Sequence, residues 1–181
     1  MILYGGTAYS FAQDPDFTSV SKKVQYWEDV IEKYYSKYKG LDKWHKQLIK
    51  SATTTNYVST PLGRVFRFDM TKNKRGEMVW PVTDIKNYPV QGTGADIVCM
   101  SRVMVAKRFT GLHSKLIATV HDSIVADCPD DEVDTVCKIF TEEIAKTPKY
   151  LSQYFGVDFN LPLVGELEIG QNMADTEKVK L

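Results

Sequence analysis

Two β-type runs meet with almost nothing between them, and that junction constrains the fold most. Leu116 to Val120 is a run of apolar or small residues, and Ser123 to Cys128 is a second strand-like run in which Ile124, Val125 and Ala126 are followed by Asp127. Only His121-Asp122 separates them, so the two runs close into a tight antiparallel hairpin. The acid at its tip is displayed rather than buried. A carboxylate carried forward on rigid β structure suits a hard divalent cation, which selects oxygen ligands. An ordinary polar turn is the other reading, because Asp favours turns for local reasons.

The chain has 181 residues, enough for a real core. Net charge is zero but segregated. Residues 22 to 75 hold 13 Lys/Arg against 5 Asp/Glu, and residues 121 to 181 hold 5 against 13. Such a chain steers a polyanion along one face and gathers cations on the other, or carries two solvated helical surfaces. Cys99, Cys128 and Cys137 lack paired spacing and sit among apolar residues, so reduced core thiols are expected. His45, His113 and His121 are scattered, which argues against zinc. No apolar run spans a membrane and no secretion signal is visible, so a cytoplasmic protein is expected.

Ile2-Leu3-Tyr4 followed by Gly5-Gly6 reads as the last turn of a helix at its glycine stop. Asp14-Pro15-Asp16 reads as a loop. From about Thr18 the spacing of Val20, Val24, Trp27, Ile31, Tyr34 and Tyr38 predicts one long amphipathic helix, ended by Gly40. Its aromatic stripe fits a core better than a base-stacking platform. Leu41, Trp44, Leu48 and Ala52 predict a second helix. Residues 57–60 and 64–68 form a basic hairpin through Pro61-Leu62-Gly63, and Met78-Val79-Trp80 returns as a strand. Pro89 excludes Asn87–Val90 from a helix interior, so a deeply packed helix is expected from Gln91 or Thr93 to Phe109. After the hairpin, Pro129-Asp130-Asp131-Glu132 opens a helix with acids at its positive end, burying Val133, Val136, Cys137, Phe140 and Ile144. Leu161–Ile169 reads as a last strand.

Five segments in order resemble the C-terminal part of family A DNA polymerases. Leu3-Tyr4-Gly5-Gly6-Thr7 resembles the end of the fingers helix of motif B. Thr60-Pro61-Leu62-Gly63-Arg64 resembles the T-x-x-G-R hairpin. Asn87-Tyr88-Pro89-Val90-Gln91-Gly92-Thr93-Gly94-Ala95-Asp96 resembles the N-x-P-x-Q-G-T-x-A-D segment. Val120-His121-Asp122-Ser123 resembles motif C, and Leu161-Pro162-Leu163 with Gly170-Gln171-Asn172 resembles the closing strand. Each match is short, but order and spacing agree across nearly the whole chain.

The resemblance implies an α+β fold. It consists of an antiparallel palm sheet with packed helices plus the C-terminal helices of the fingers, an incomplete polymerase fold. Its parts would be 1–56 as fingers, 57–86 as a basic linking hairpin and 87–181 as palm. It implies deoxynucleotide addition to a primer 3′ end through two Mg²⁺ ions, roughly 3.5–4 Å apart. Asp122 would be a metal ligand and His121 would lie beside the primer end. Gln91 would probe the minor groove, where every correct pair offers acceptors. Asn87 would orient backbone or sugar, Tyr4 would stack near the templating base, and Arg64 would touch phosphate. For each, a plain structural role is the competing reading.

The sequence also departs from the family pattern. Ser123 stands where many members have Glu, Met173 where Trp is frequent, and Thr83 where Arg is common, with Lys86 able to take over phosphate contact. The motif A aspartate and the upstream Arg and Lys that hold deoxynucleoside triphosphates are not in the sequence. The expectation is therefore a chain inactive alone, acting on primer-template DNA with an N-terminal polymerase polypeptide carrying motif A. A natural split gene, as phages sometimes have, is the preferred origin, which would place the chain in the host cytoplasm; a fragment boundary and an interruption by an intron or intein are the alternatives. An unpaired Leu116–Val120 edge is expected to favour association. The competing functional readings are a non-catalytic DNA-binding remnant and a structural subunit.

Overall fold

Helix α1 (Ala8–Gln13) starts because Thr7 and Ser10 cap each other. The Ser10 N–H donates to Thr7 Oγ1 at 3.1 Å, and the Thr7 N–H donates to Ser10 Oγ at 2.9 Å. Asp14 then caps a short helix α2 (Pro15–Thr18), with Pro15 in its first turn, so the expected loop carries one helical turn. This computed structural model describes residues 2–179. The chain forms two compact units, Met1–Thr93 and Gly94–Leu181.

In the first unit, α3 (Val24–Lys37) and α4 (Lys39–Thr55) follow. The expected long helix breaks at Tyr38, not Gly40. Tyr38 has ψ 63°, outside helical geometry, while Gly40 sits inside α4. Val20 and Val24 face solvent rather than the core. Trp27 is buried against Ala8, Phe11 and Ala12, and stacks on Phe11 with ring centroids 5.1 Å apart. Its indole N–H donates to the Ser21 carbonyl at 2.9 Å, which satisfies the polar end of a buried ring. Tyr38, on the same sequence stripe, stays exposed.

Strands β1 (Tyr57–Ser59) and β2 (Val65–Arg67) form the expected hairpin, with Val58 opposite Phe66. Gly63 turns at φ +84°, open to glycine without strain. A second ribbon pairs β3 (Thr71–Lys72) with β4 (Met78–Val79). Leu48, Ala52, Val58, Phe68 and Ile85 make the core under these elements.

Helix α5 runs Val82–Arg108, through Pro89. This corrects the expectation that Pro89 bars a helix over Asn87–Val90. Proline removes one donor, to the carbonyl of Ile85, but the local geometry is otherwise kept. The Ile85 N–H donates to Pro81 O at 3.0 Å, and Thr93 Oγ1 donates to Pro89 O at 2.7 Å. Ile85 and Pro89 are both buried, and that apolar burial offsets the lost bond. The helix is also less enclosed than its composition suggests. Ser101, Met104 and Val105 are buried, while Cys99 and Val103 are exposed. Cys99 is therefore not a core thiol; Cys137 is buried and Cys128 half-buried.

In the second unit, β5 (Lys115–Val120) and β6 (Ser123–Asp127) pair antiparallel with a register shift between Leu116 and Ala118. A 3₁₀ turn, Asp130–Glu132, leads into α6 (Val133–Phe155), ended by Gly156 at φ +66°. Val105, Phe109, Val136, Ile139 and Phe140 form the core, and Leu116, Ile124 and Ala126 of the hairpin pack on it. The last strand is shorter than expected. β7 (Leu167–Gly170) pairs with β8 (Thr176–Val179), while residues 161–166 have no strand geometry and Val164 is 91% exposed. The fold is thus α+β with small two-stranded antiparallel sheets. Among the described residues, no helix is long and apolar enough to cross a membrane.

Candidate functional site

His121 and Asp122 are the whole turn between β5 and β6, since Val120 pairs directly with Ser123. The Ser123 hydroxyl donates to the Val120 carbonyl at 2.8 Å and closes the turn. His121 is held at φ +53°, a left-handed conformation that an L side chain adopts at a cost. Both side chains are exposed. The tip therefore presents a ring and a carboxylate to solvent from a two-stranded ribbon whose other face is anchored in the core. Ile117, at the register shift, is 57% exposed, and Val120 is exposed beside it. Among the described residues β5 pairs with β6 alone.

The base of the ribbon is fixed by Glu132. Its carboxylate accepts the backbone N–H groups of His113 at 2.9 Å and Ser114 at 2.8 Å, and the Ser114 hydroxyl. Those bonds, the Ser114 hydroxyl first, lower its pKa from 4.5 to about 2. Sequence reasoning assigned Glu132 to the helix dipole of α6. No local pattern announces that it reaches back 18 residues.

The first unit gathers the other candidates around the first half of α5. Asn87 and Gln91 lie one turn apart on α5, with Gln91 exposed and Asn87 half-buried. The Asn87 Oδ1 atom is buried with no hydrogen-bond partner. Arg64 leaves the β1–β2 turn, where its N–H donates to Thr60 Oγ1 at 3.2 Å and its carbonyl accepts the Thr60 N–H at 2.8 Å. The hairpin comes so close to α5 that a Cβ on Gly92 would lie 2.5 Å from Phe66 Cζ and 3.2 Å from Arg64 Cδ. Gly92 thus lets the Arg64 side chain approach the α5 backbone closely.

Tyr4 ends the 3₁₀ turn Ile2–Tyr4 and is exposed; Gly5 follows at φ +84°. A Cβ on Gly5 would meet Thr83 Cα at 3.1 Å and Lys86 Cδ at 3.2 Å. This seats Tyr4 beside the start of α5. Burial pushes the Lys86 ammonium below the ordinary lysine pKa, partly countered by Asp42. Tyr4, Arg64, Asn87 and Gln91 belong to the first unit, His121 and Asp122 to the second.

Among the described residues, no three His, Cys, Asp or Glu side chains gather as a metal cage. Asp122 alone offers hard oxygen donors at the tip, which fits one ligand of a shared Mg²⁺ site rather than a complete one.

A family model described as DNA polymerase family A matches residues 1–175. The chain belongs to DNA polymerase family A. The DNA polymerase of Bacillus phage SP01 is 29% identical over 182 residues, covering 96% of this chain and 19% of that protein. DNA polymerase I of Geobacillus stearothermophilus is 26% identical over 144 residues, covering 78% of this chain and 16% of that protein. The chain thus spans about a fifth of the length of the curated family A relatives it matches. The fold is similar to the POL domain of Pol1 from M. smegmatis, solved in complex with DNA primer-template and dNTP. That similarity has a TM-score of 0.67 at 22% identity, over 81% of this chain and 25% of that one.

Proposed function

We propose that this chain is the C-terminal part of a template-directed DNA polymerase that adds deoxynucleotides to a primer 3′ end. Residues 1–56 supply the end of the fingers, 57–86 the linking hairpin and 87–181 the palm. The observation that carries the reading is Asp122, an exposed carboxylate at the tip of a core-anchored hairpin in a chain of this family.

Asp122 would hold Mg²⁺ together with a carboxylate from a polymerase segment outside these residues, the motif A segment. When bound, the two ions lower the pKa of the primer hydroxyl and neutralise charge on the transferred phosphoryl group. The chain's own residues bind and orient. His121 donates to the backbone at the primer end. Gln91 offers an amide to the minor-groove acceptors of the terminal pair, so that it senses pair shape rather than sequence. Asn87 holds backbone or sugar beside it. Arg64 meets a phosphate with its guanidinium fork, and Tyr4 stacks at the templating base. These side chains lie in the segments that resemble the family's motifs, and their exposure or closeness to α5 supports the assignment.

The deciding experiment is primer extension with Mg²⁺ and four deoxynucleoside triphosphates, with and without a polypeptide carrying the remaining polymerase segments. Activity is expected only in the mixture and is lost with Asp122→Ala. A mixture that stays fully active with Asp122→Ala overturns the metal role. DNA binding without extension in the mixture would instead leave a non-catalytic binding module.

A further inference from the structure

Four lysines of α4 stand in a single row. Lys39, Lys43, Lys46 and Lys50 follow one another at steps of four, three and four. At 3.6 residues per turn they fall within about 60° of arc. All four are exposed. The opposite face of α4, with His45, Leu48 and Ala52, is buried, so the row is fixed outward. The surface along it is open to solvent and formed by Asp42, Lys43, Lys46, Gln47 and Lys50.

We infer that this row is a track for the phosphodiester backbone of single-stranded DNA, outside the residues assigned above to the primer end. The inference rests on the polymerase reading for the presence of DNA; the track itself is a separate surface. Like charges at these helical steps repel, and one acid offsets them, Asp42 paired with Lys46 at 2.6 Å. A polyanion relieves that repulsion. The row spans about 16 Å of helix axis, the length over which one strand in helical form presents about five phosphates.

Two features select one strand over a duplex. On α4 the row is one lysine wide, flanked by acidic Asp42 on one side and neutral Gln47 on the other. At its N-terminal end stands Tyr38, exposed and positioned as the residue before α4. An aromatic ring beside a basic track is what an unpaired base stacks on. Lys37 Nζ lies 5.5 Å from the Tyr38 ring centroid and places a further cation at the same end.

The test measures binding of the chain to fluorescein-labelled oligo-dT by anisotropy, from 50 to 200 mM NaCl, with EDTA and no primer. The variants are Lys43→Gln/Lys46→Gln/Lys50→Gln, Tyr38→Ala, and Lys72→Gln/Lys74→Gln/Arg75→Gln on the β3–β4 turn as a comparison of equal charge. The α4 triple variant is expected to reduce the slope of log affinity against log salt by about 2. At 0.1 M salt it weakens binding on the order of a hundredfold. Tyr38→Ala weakens binding with the slope unchanged, and the turn variant does neither. Equal circular dichroism and melting of all variants shows that folding is not the cause. An unchanged slope in the α4 variant overturns the inference. So does equal or greater loss with duplex DNA, equal competition by polyglutamate, or absence of oligo-dT binding by the unmodified chain. Failure of primer extension with these results intact would overturn the polymerase reading alone.

Discussion

The Glu132 carboxylate accepts the Ser114 backbone N–H at 2.8 Å, so the acid that precedes α6 holds the first residues leading into β5. The hairpin that carries His121 and Asp122 is therefore clamped at its base as well as packed on one face.

That clamp titrates. The folded-state pKa of Glu132, about 2, lies below its ordinary 4.5. Its contribution to stability is thus fully present above about 4.5 and is lost as pH falls through about 2. Glu132→Gln is expected to lower the melting temperature at pH 7 and to flatten its decline between pH 5 and 2. A decline as steep as in the unmodified chain would show that other carboxylates govern acid unfolding.

Gly92→Ala places a methyl where Phe66 already stands, 2.5 Å from Cζ. The expected destabilisation is about 1–3 kcal/mol in urea unfolding, as for other overpacked sites. Phe66→Ala in the same chain should absorb part of it, a coupling that a double-mutant cycle reads directly. Additive losses would mean that the β1–β2 hairpin yields without cost.

His121 tests whether its backbone conformation serves function. Glycine removes the steric cost of φ +53°, so His121→Gly should leave thermal stability unchanged or raised while reducing extension in the reconstituted mixture. Equal falls in both would assign the histidine to the fold.

Gln91 is exposed on α5. Gln91→Ala is expected to slow extension and raise mismatch tolerance with stability within about 0.5 kcal/mol. Equal loss of extension, fidelity and nucleotide affinity would point to misfolding instead.

Leu151 is fully buried in α6. Leu151→Ala should cost about 2–5 kcal/mol in chemical denaturation, the range for cavities in a packed core. A smaller loss would mean that α6 collapses around the gap.

The sequence carried the two hairpins through β-rich runs and turn residues, and it placed His121-Asp122 at a tip. It also carried the buried face of α6, where Val136, Cys137 and Phe140 recur at helical spacing. It misled where a local rule met tertiary compensation. Pro89 is a helix breaker by itself, yet burial of Ile85 and Pro89 carries α5 across it. Gly40 reads as a stop, but the chain turns one residue pair earlier, at Tyr38. Leu161 to Glu166 has strand-like residues but, among the described residues, no partner strand, and pairing rather than propensity decides strand formation. The Glu132 clamp and the Gly92 approach join residues distant in sequence, which no periodicity encodes.

Each ribbon joins strands that are consecutive in the chain, β1 with β2 through β7 with β8. Forming them needs only short loop closures, which take microseconds or less. Ribosomes add roughly 5–20 residues per second. The β5–β6 ribbon can thus close almost as soon as its second strand clears the exit tunnel, before α6 (Val133–Phe155) has emerged to support it.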